Sequence, residues 1–297
     1  MPPTSRPRRS LLFMPGANPR ALEKARDLPA DGLIFDLEDA VAPAAKETAR
    51  GIVAGALNAG GYGRRELVLR VNGLDTPWGE TDLAGAAGLP IDAVLLPKVE
   101  SADQVAHALS LIEERGAPAA LAIWCMLETP RGILNAAAIA AASPRLAVLV
   151  AGTSDLTKDL HALHTRDRAP VLTSLGLLLL AARAHNLAAL DGVHLDLADD
   201  EGFAFACRQG RELGFDGKTL IHPKQIAPAN AAFGPSPEEV TWSKRVVAAH
   251  IDAESKGAGI VLLDGRLIEK LHVEDARRIV AIAEAIDQIE CSTAPRK

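Results

Sequence analysis

Short apolar runs alternate with helical segments along most of the chain, and this alternation limits the possible folds more than any other feature of the sequence. In the intervening segments, such as Ala102–Arg115 and Asp200–Leu213, apolar residues recur at the i, i+3 and i+4 spacing of an amphipathic helix. Strands that alternate with helices predict parallel βαβ units. The predicted strands are Ser10–Met14, Leu33–Leu37, Leu67–Val71, Ala93–Leu96, Leu121–Leu127, Leu146–Ala151, Leu187–Leu190 and Thr219–Ile221.

Eight βα units within about 230 residues match a (β/α)8, or TIM, barrel. A doubly wound open sheet is the alternative, because the number of strands does not by itself require that the sheet closes. The low aromatic content of 3% supports an α/β fold of either kind, since it leaves a core built from Ala, Leu, Ile and Val.

The remaining composition excludes several classes of protein. With 48% hydrophobic and 24% charged residues, the 297-residue chain has the composition of an ordinary globular protein. Its longest apolar run is far shorter than the roughly 18–20 residues of a membrane span. A net charge of −6 disfavours a nucleic-acid partner. The three cysteines are widely spaced, and the arginines of residues 1–10 precede no apolar signal core, so we expect a cytoplasmic protein.

The pattern changes after the eighth unit, where Pro235–Pro237 interrupts it. We therefore expect a barrel over residues 1–234 and a C-terminal helical extension over residues 235–297. Because glycine tolerates backbone conformations that other residues avoid, Gly257–Gly259 would hinge a mobile flap within this extension. The extension contains a long helix, a short apolar run, a turn and a final helix, namely Glu238–Lys256, Ile260–Leu263, Asp264–Gly265 and Val273–Ile289.

Polar and charged side chains follow most of the predicted strands. In a (β/α)8 barrel, the carboxyl ends of the strands and the loops after them form the active site. A charged group next to a buried strand is costly unless it is paired or binds a metal. We therefore expect a functional site at this end of the barrel, built from Asp36–Asp39, Arg70–Asn72, Pro97–Glu100, Glu128–Pro130, Gly152–Asp155, Asp191 and His222.

Two carboxylates in this set, Glu128 and Asp155, follow neighbouring strands. Carboxylate oxygens, completed by water and substrate oxygens, are the ligands that Mg²⁺ prefers. The alternative is that each carboxylate caps the helix that follows it or pairs with a nearby arginine.

Arg70 has two possible roles. The planar guanidinium could bind a substrate carboxylate through two parallel N–H groups. Alternatively, it could form an ion pair with Glu38 or Asp39, which follow the preceding strand. Lys98, after the fourth strand, has the same two alternatives.

Eight short motifs occur in order along the chain: Arg9–Gly16 (RSLLFMPG), Asp36–Val41 (DLEDAV), Arg70–Asn72 (RVN), Pro97–Glu100 (PKVE), Glu128–Pro130 (ETP), Gly152–Leu156 (GTSDL), Gly214–Lys218 (GFDGK) and Ile221–Ile226 (IHPKQI). This set resembles the citrate lyase β-subunit group within the HpcH/HpaI aldolase superfamily, and malyl-CoA, citramalyl-CoA and β-methylmalyl-CoA lyases are similar. The likeness extends over about residues 9–272.

The resemblance implies a TIM barrel that binds Mg²⁺ and acts on a 2-oxo acid and an acyl-CoA or acyl carrier protein thioester. It also implies a homotrimer in which the C-terminal segment closes over a neighbour's site. Together with the strand-end positions, it suggests Glu128 and Asp155 as metal ligands, Arg70, Glu128 and Lys98 as substrate-binding residues, and Glu38 and Asp39 as catalytic candidates that support the metal's water molecules.

The expected activity is a Mg²⁺-dependent carbon–carbon lyase. Removal of the β-hydroxyl proton would break the bond to the thioester's α-carbon, giving a 2-oxo acid and a thioester enolate, while Mg²⁺ polarises the oxygen that becomes the ketone. The alternatives are a citryl carrier-protein lyase component of a multi-subunit citrate lyase, a malyl-CoA thioesterase, a malate-synthase-like enzyme, and a non-catalytic relative that binds a 2-oxo acid.

One motif departs from the family pattern. The C-terminal flap of the family usually contains D-G-K-M-I-D, whose last Asp is the acid/base, whereas this chain has Asp264-Gly-Arg-Leu-Ile-Glu269. The resemblance implies Glu269 as the catalytic carboxylate, with a side chain longer by one methylene. The alternative is that Glu269 pairs with Arg266 or Lys270 on a solvated turn.

Overall fold

The computed structural model describes residues 6–255 and 261–293, so the predicted hinge at Gly257–Gly259 lies outside the described residues. Eight parallel strands form a closed barrel, because β1 pairs with β2 on one side and with β8 on the other. This closure confirms the predicted TIM barrel and excludes the doubly wound sheet. The strands are β1 Ser10–Pro15, β2 Gly32–Asp36, β3 Glu66–Arg70, β4 Ala93–Leu96, β5 Ala122–Leu127, β6 Leu146–Ala151, β7 Ala188–Asp191 and β8 Gly217–Leu220.

Ten helices belong to the described part of the barrel, and their apolar faces pack on the outside of the strands. Several begin with side-chain caps that the sequence supplies. Ser101 accepts the backbone N–H of Gln104 before α4, for example, and Gln104 returns the contact to close a capping box. The helices are α1 Pro19–Lys24, α2 Lys46–Ala59, α3 Gly79–Ala86, α4 Ala102–Glu114, α5 Pro130–Leu134, α6 Ala136–Ala140, α7 Thr153–Asp159, α8 Leu172–Ala184, α9 Asp200–Leu213 and α10 Ile226–Phe233.

The strands bury both of their faces. Successive side chains of a strand point to opposite sides of a sheet. On β5, Trp124 and Met126 belong to the apolar cluster inside the barrel, whereas Ile123 and Cys125 belong to the larger cluster under the helices. The same alternation directs Glu128, just after β5, towards the carboxyl-end mouth of the barrel.

The part of the chain from Gly234 forms a separate compact unit. It contains the helix α11 (Pro237–Ser255), a hairpin of β9 (Val261–Leu263) and β10 (Arg266–Ile268), and the helix α12 (Lys270–Thr293). In the hairpin turn, φ is 49° at Asp264 and 76° at Gly265, and these positive values match the twist of a tight hairpin.

The hairpin packs against α11. Val261 and Ile268 join an apolar cluster with Val246 of α11. Arg245 donates to the carboxylate of Asp264 in the hairpin turn at 2.8 Å. In the described ranges, every helix is too short or too polar to cross a bilayer.

Candidate active site

An arginine–aspartate pair lies at the carboxyl ends of β2 and β3, at the mouth of the barrel. Arg70 ends β3 and Asp36 ends β2, and the two residues are register partners. Arg70 donates from Nε and Nη2 to the two carboxylate oxygens of Asp36, each at 2.7 Å, in a parallel bidentate arrangement. Asp36 also accepts the backbone N–H groups of Glu38 at 2.9 Å and Ala40 at 3.1 Å. The pair therefore fixes the loop after β2.

The remaining nitrogen of Arg70, Nη1, lies 2.8 Å from Glu38 Oε2 and 3.6 Å from Asp39 Oδ2. The ion pair considered as the alternative role of Arg70 is therefore present, and Asp36 is an additional partner that sequence reasoning missed. Burial alone would lower the pKa of Arg70, but the carboxylates of Asp36, Glu38 and Asp39 raise it above its ordinary value. Asp39 lies at the rim, with 63% of its side chain exposed.

Glu38 is the most enclosed carboxylate of the loop after β2. Lys98 Nζ donates to its Oε1 at 2.6 Å. Its Oε2 is buried and makes no hydrogen bond among the described residues, and its charge pairs with Arg70 Nη1 at 2.8 Å. Burial raises the pKa of Glu38, and the charges of Arg70 and Lys98 oppose this rise. Burial lowers the pKa of Lys98, but the contact with Glu38 outweighs this effect and raises the pKa above its ordinary value.

Glu128 is 4% exposed and lies beside Lys98, whose backbone N–H donates to Glu128 Oε1 at 2.8 Å. Burial and the negative charge of Glu38, with a smaller effect of Asp155, raise the pKa of Glu128 to about 7. Asp155 lies in the first turn of α7, and its Oδ2 is 3.6 Å from Lys98 Nζ. The structure thus brings together Glu38, Lys98, Glu128 and Asp155.

Gly152 makes room for Glu128. A Cβ at residue 152 would lie 2.3 Å from Glu128 Cβ and 2.5 Å from its Oε2, far inside normal contact. The φ angle of Gly152 is −97°, which any residue adopts, so the requirement is for space rather than for backbone freedom. Sequence reasoning gave no role to this glycine, and only its place in the G-T-S-D-L motif pointed to it.

We define the mouth cluster as five carboxylates and three cations: Asp36, Glu38, Asp39, Glu128, Asp155, Lys46, Arg70 and Lys98. Lys46 donates to the backbone carbonyls of Leu37 at 2.8 Å and Glu38 at 2.7 Å. With every group ionised, the cluster lacks two positive charges. Among the described residues, no three His, Cys, Asp or Glu side chains are arranged as a ready metal cage.

One polar residue at the strand ends, Asp191, turns away from the mouth. Asp191 points into the helix layer, where its buried carboxylate accepts from Lys218 Nζ at 2.8 Å and from Arg168 Nη1 at 2.7 Å. The expectation that Asp191 belongs to the functional site is wrong, because strand alternation directs its side chain outwards. Asn72 donates from Nδ2 to Asp82 at 2.6 Å and to the carbonyl of Leu37, in the loop after β2, at 3.0 Å.

Glu269 belongs to the C-terminal unit, where it directly precedes α12. Its backbone N–H donates to His272 Nδ1 at 3.0 Å, and its side chain is exposed. Lys270 Nζ lies 3.7 Å from Glu274, and Arg266 lies over the ring of Trp242. Within the described ranges, Glu269 forms neither of the ion pairs considered as its alternative role.

The fold and the mouth cluster define a TIM-barrel protein with a strongly acidic site at the carboxyl ends of its strands. The family model of HpcH/HpaI aldolase/citrate lyase matches residues 9–223, and the chain belongs to this family. This match confirms the resemblance found in the motifs.

Curated relatives match nearly the whole chain. A (3S)-malyl-CoA thioesterase of Cereibacter sphaeroides is 48% identical over 286 residues, which cover 96% of this chain and 98% of the relative. The citrate lyase subunit beta of Leuconostoc mesenteroides is 38% identical, and the match covers 94% of each chain.

Solved structures agree with this placement. The CitE protein of Mycobacterium tuberculosis, in complex with magnesium, acetoacetate and coenzyme A, has a TM-score of 0.74 and 31% identity, over 94% of this chain and 99% of that one. The citrate lyase beta subunit of M. tuberculosis with oxaloacetate and magnesium has a TM-score of 0.66 and 34% identity, over 78% of this chain and 99% of that one.

Proposed function

We propose that the protein is a Mg²⁺-dependent enzyme that acts on a malyl-CoA-type β-hydroxyacyl thioester, with hydrolysis of the thioester as its main reaction. The observation that carries this proposal is the mouth cluster, in which buried Glu128 and Glu38 lie beside Arg70. The relatives named (3S)-malyl-CoA thioesterase support hydrolysis over cleavage, because they are 47–48% identical whereas the citrate lyase β-subunits are 36–38% identical.

The mouth cluster fits Mg²⁺ on three counts. Its ligating atoms are hard carboxylate oxygens. With every group ionised it lacks two positive charges, which one divalent cation would supply. Glu38 Oε2 is buried and makes no hydrogen bond in the described structure beyond its ion pair with Arg70, so it can accept one from a water molecule or a substrate. We assign Glu128 and Asp155 as the ligands. When bound, Mg²⁺ supplies Lewis acidity towards the substrate oxygens.

Arg70 supplies the positive charge for the substrate carboxylate. The Nε and Nη2 edge of its guanidinium is bound to Asp36, so the substrate must approach the edge that carries Nη1. At that edge it meets Glu38, whose Oε2 is placed to accept the proton of the substrate's hydroxyl group or of a water molecule. Asp39, at the rim, would hold a further water molecule.

Two reactions are open to a malyl-CoA bound in this way. In hydrolysis, water adds to the thioester carbonyl and the C–S bond breaks, giving malate and the CoA thiol. In cleavage, the hydroxyl group loses its proton and the C2–C3 bond breaks, giving glyoxylate and, after protonation of the α-carbon, acetyl-CoA. Arg70, held in place by Asp36, would bind the substrate carboxylate in both reactions. The lyase reaction therefore remains the second candidate.

We assign Glu269 as the acid/base group that exchanges a proton with the reacting thioester. The exposed Glu269 carboxylate has no ion-pair partner within the described ranges, so it remains available for proton transfer.

We further propose a cytoplasmic homotrimer. The buried thiols Cys125 and Cys207 are free, as in a reducing compartment. The C-terminal unit exposes Leu262 and Leu267 as a cross-strand pair on its hairpin, and a subunit interface would cover them. Light scattering should give about three times the 31.2 kDa of one chain, and a monomer at micromolar concentration would contradict this assembly.

The test is to incubate the protein with (3S)-malyl-CoA and Mg²⁺ and to measure the free CoA thiol and glyoxylate in the same samples. The proposal predicts thiol release without matching glyoxylate, and loss of both after EDTA treatment. Glyoxylate formed without thiol would make the lyase the main reaction. Turnover of only a carrier-protein thioester, or of no thioester, would contradict the proposal and indicate a citrate lyase component or a non-catalytic relative.

A further inference from the structure

Lys98 has a backbone conformation that lysine rarely adopts. Its φ angle is 50°, in the left-handed region, which favours glycine because a Cβ crowds the backbone there. The next residue, Val99, resumes the strand pairing by donating to the Met126 carbonyl at 3.1 Å. The chain therefore kinks at one residue between β4 and the loop, and a kink of this kind kept within a polar site calls for a functional explanation.

The kink lets Lys98 hold two carboxylates through two different parts of the residue. Its backbone N–H donates to Glu128 Oε1 at 2.8 Å. Its side-chain Nζ donates to Glu38 Oε1 at 2.6 Å. Glu128 follows β5 and Glu38 follows β2, so one residue after β4 connects groups that follow strands on either side of it.

We propose that Lys98 is a positioning residue that sets the distance between Glu38 and Glu128 and does not bind the substrate carboxylate. The proposal rests on the proposed function, in which Glu128 holds Mg²⁺, and it replaces the expectation that Lys98 binds substrate. By holding Oε1 of Glu38, Lys98 turns the other oxygen of this carboxylate, Oε2, towards Arg70. Glu38 Oε2 is the oxygen without a hydrogen-bond donor in the described structure.

The test compares Lys98→Met with Lys98→Arg. Lys98→Met keeps the backbone N–H and the length of the side chain but removes the ammonium, so Glu38 keeps only its ion pairing with Arg70 while Glu128 stays held. Loss of a residue that orients a ligand or its neighbours typically costs about 10–100-fold. We expect kcat for (3S)-malyl-CoA to fall by this factor with KM within about twofold of wild type. Lys98→Arg, which restores a cation, should recover most of the rate.

A substrate-binding role gives the opposite pattern, because losing a substrate contact raises KM with kcat retained. That outcome would overturn the proposal. Lys24→Met is the matched control, since Lys24 is an exposed lysine at the end of α1 outside the mouth cluster, and it should behave as wild type. Lys98→Gly accepts the positive φ without strain and provides a second variant if Lys98→Met folds poorly.

Crystal structures of the same variants separate this proposal from the proposed function. In Lys98→Met, the Glu38 carboxylate should leave its position, while Glu128 still accepts the N–H of residue 98. If the wild type turns over no thioester, the proposed function fails, yet this comparison still decides the role of Lys98. A Glu38 side chain that stays in place in Lys98→Met would overturn the positioning role whatever the activity.

Discussion

Gly152→Ala tests whether Glu128 depends on the missing side chain at residue 152. An alanine Cβ would lie 2.3 Å from Glu128 Cβ and 2.5 Å from its Oε2, so the first pair must separate by about 0.7 Å to reach even 3.0 Å. Overpacking of this kind costs about 1–3 kcal/mol. The smaller entropy of the unfolded alanine variant returns about 0.4–1 kcal/mol. We therefore expect Tm to fall by a few degrees, at about 2–4 °C per kcal/mol.

The reaction rate and the Mg²⁺ affinity of Gly152→Ala should fall more than its small loss of stability would explain. Displacement of a reacting group by about 1 Å can cost on the order of 10²-fold in rate. Titration calorimetry with Mg²⁺ should show at least about a tenfold loss of affinity, the lower end for a disturbed ligand shell. Gly55→Ala in α2 is the matched control, because a Cβ there meets no atom within 4 Å. Wild-type Tm and Mg²⁺ affinity in Gly152→Ala would refute the reasoning.

Three further variants test other parts of the account. Asp191→Asn leaves the Lys218 ammonium buried without its counter-ion, which should lower the unfolding free energy in urea by about 3–5 kcal/mol at neutral pH. Burial alone would raise the pKa of Asp191, but its two cationic partners hold the pKa below the ordinary value. The difference in unfolding free energy between wild type and Asp191→Asn should therefore shrink below about pH 4, where Asp191 becomes protonated. A difference that stays the same at low pH would contradict this. Arg70→Lys loses Nη1, at the edge that the substrate carboxylate approaches, together with the parallel hydrogen bonds to Asp36. Calorimetric glyoxylate affinity should therefore fall by about 1.5–3 kcal/mol, and equal affinity would contradict the role of the guanidinium. Glu269→Gln should keep Mg²⁺ binding but lose roughly 10²–10⁴-fold in rate, whereas Glu269→Asp should keep much of the wild-type rate. Full activity in Glu269→Gln would exclude this carboxylate as the acid/base.

The barrel was predictable because its signal is local. Each of the eight apolar runs predicted as a strand corresponds to an observed strand. Periodicity within a short window and the alternation of strands with helices require no knowledge of distant contacts. Closure was not determined by this signal, because the pairing of β1 with β8 joins residues about 200 positions apart.

The site was only partly predictable. The strand-end rule placed Glu38, Arg70, Lys98 and Glu128 at the mouth, since it depends only on where strands stop. It failed for Asp191, because a shift of one residue along a strand reverses the direction of a side chain.

Pairings between side chains could not be predicted in this way. Whether Arg70 binds Asp36 or Glu38 depends on distances within the folded loop. Gly152 matters because it has no Cβ where the Glu128 side chain lies, and a sequence does not show which side chain occupies the space beside a glycine. The left-handed backbone of Lys98 is similar, because lysine has no local preference for it.

We propose that Glu128 and Asp155 form a Mg²⁺ site at the barrel mouth. Titration calorimetry of Mg²⁺ into the protein with saturating glyoxylate, in wild type and in Glu128→Gln, is the decisive measurement. We expect one Mg²⁺ per chain in wild type and loss of detectable binding in Glu128→Gln, because the uncharged amide oxygen is a weaker ligand for a hard cation than a carboxylate. Undiminished Mg²⁺ binding in Glu128→Gln would exclude Glu128 as a ligand.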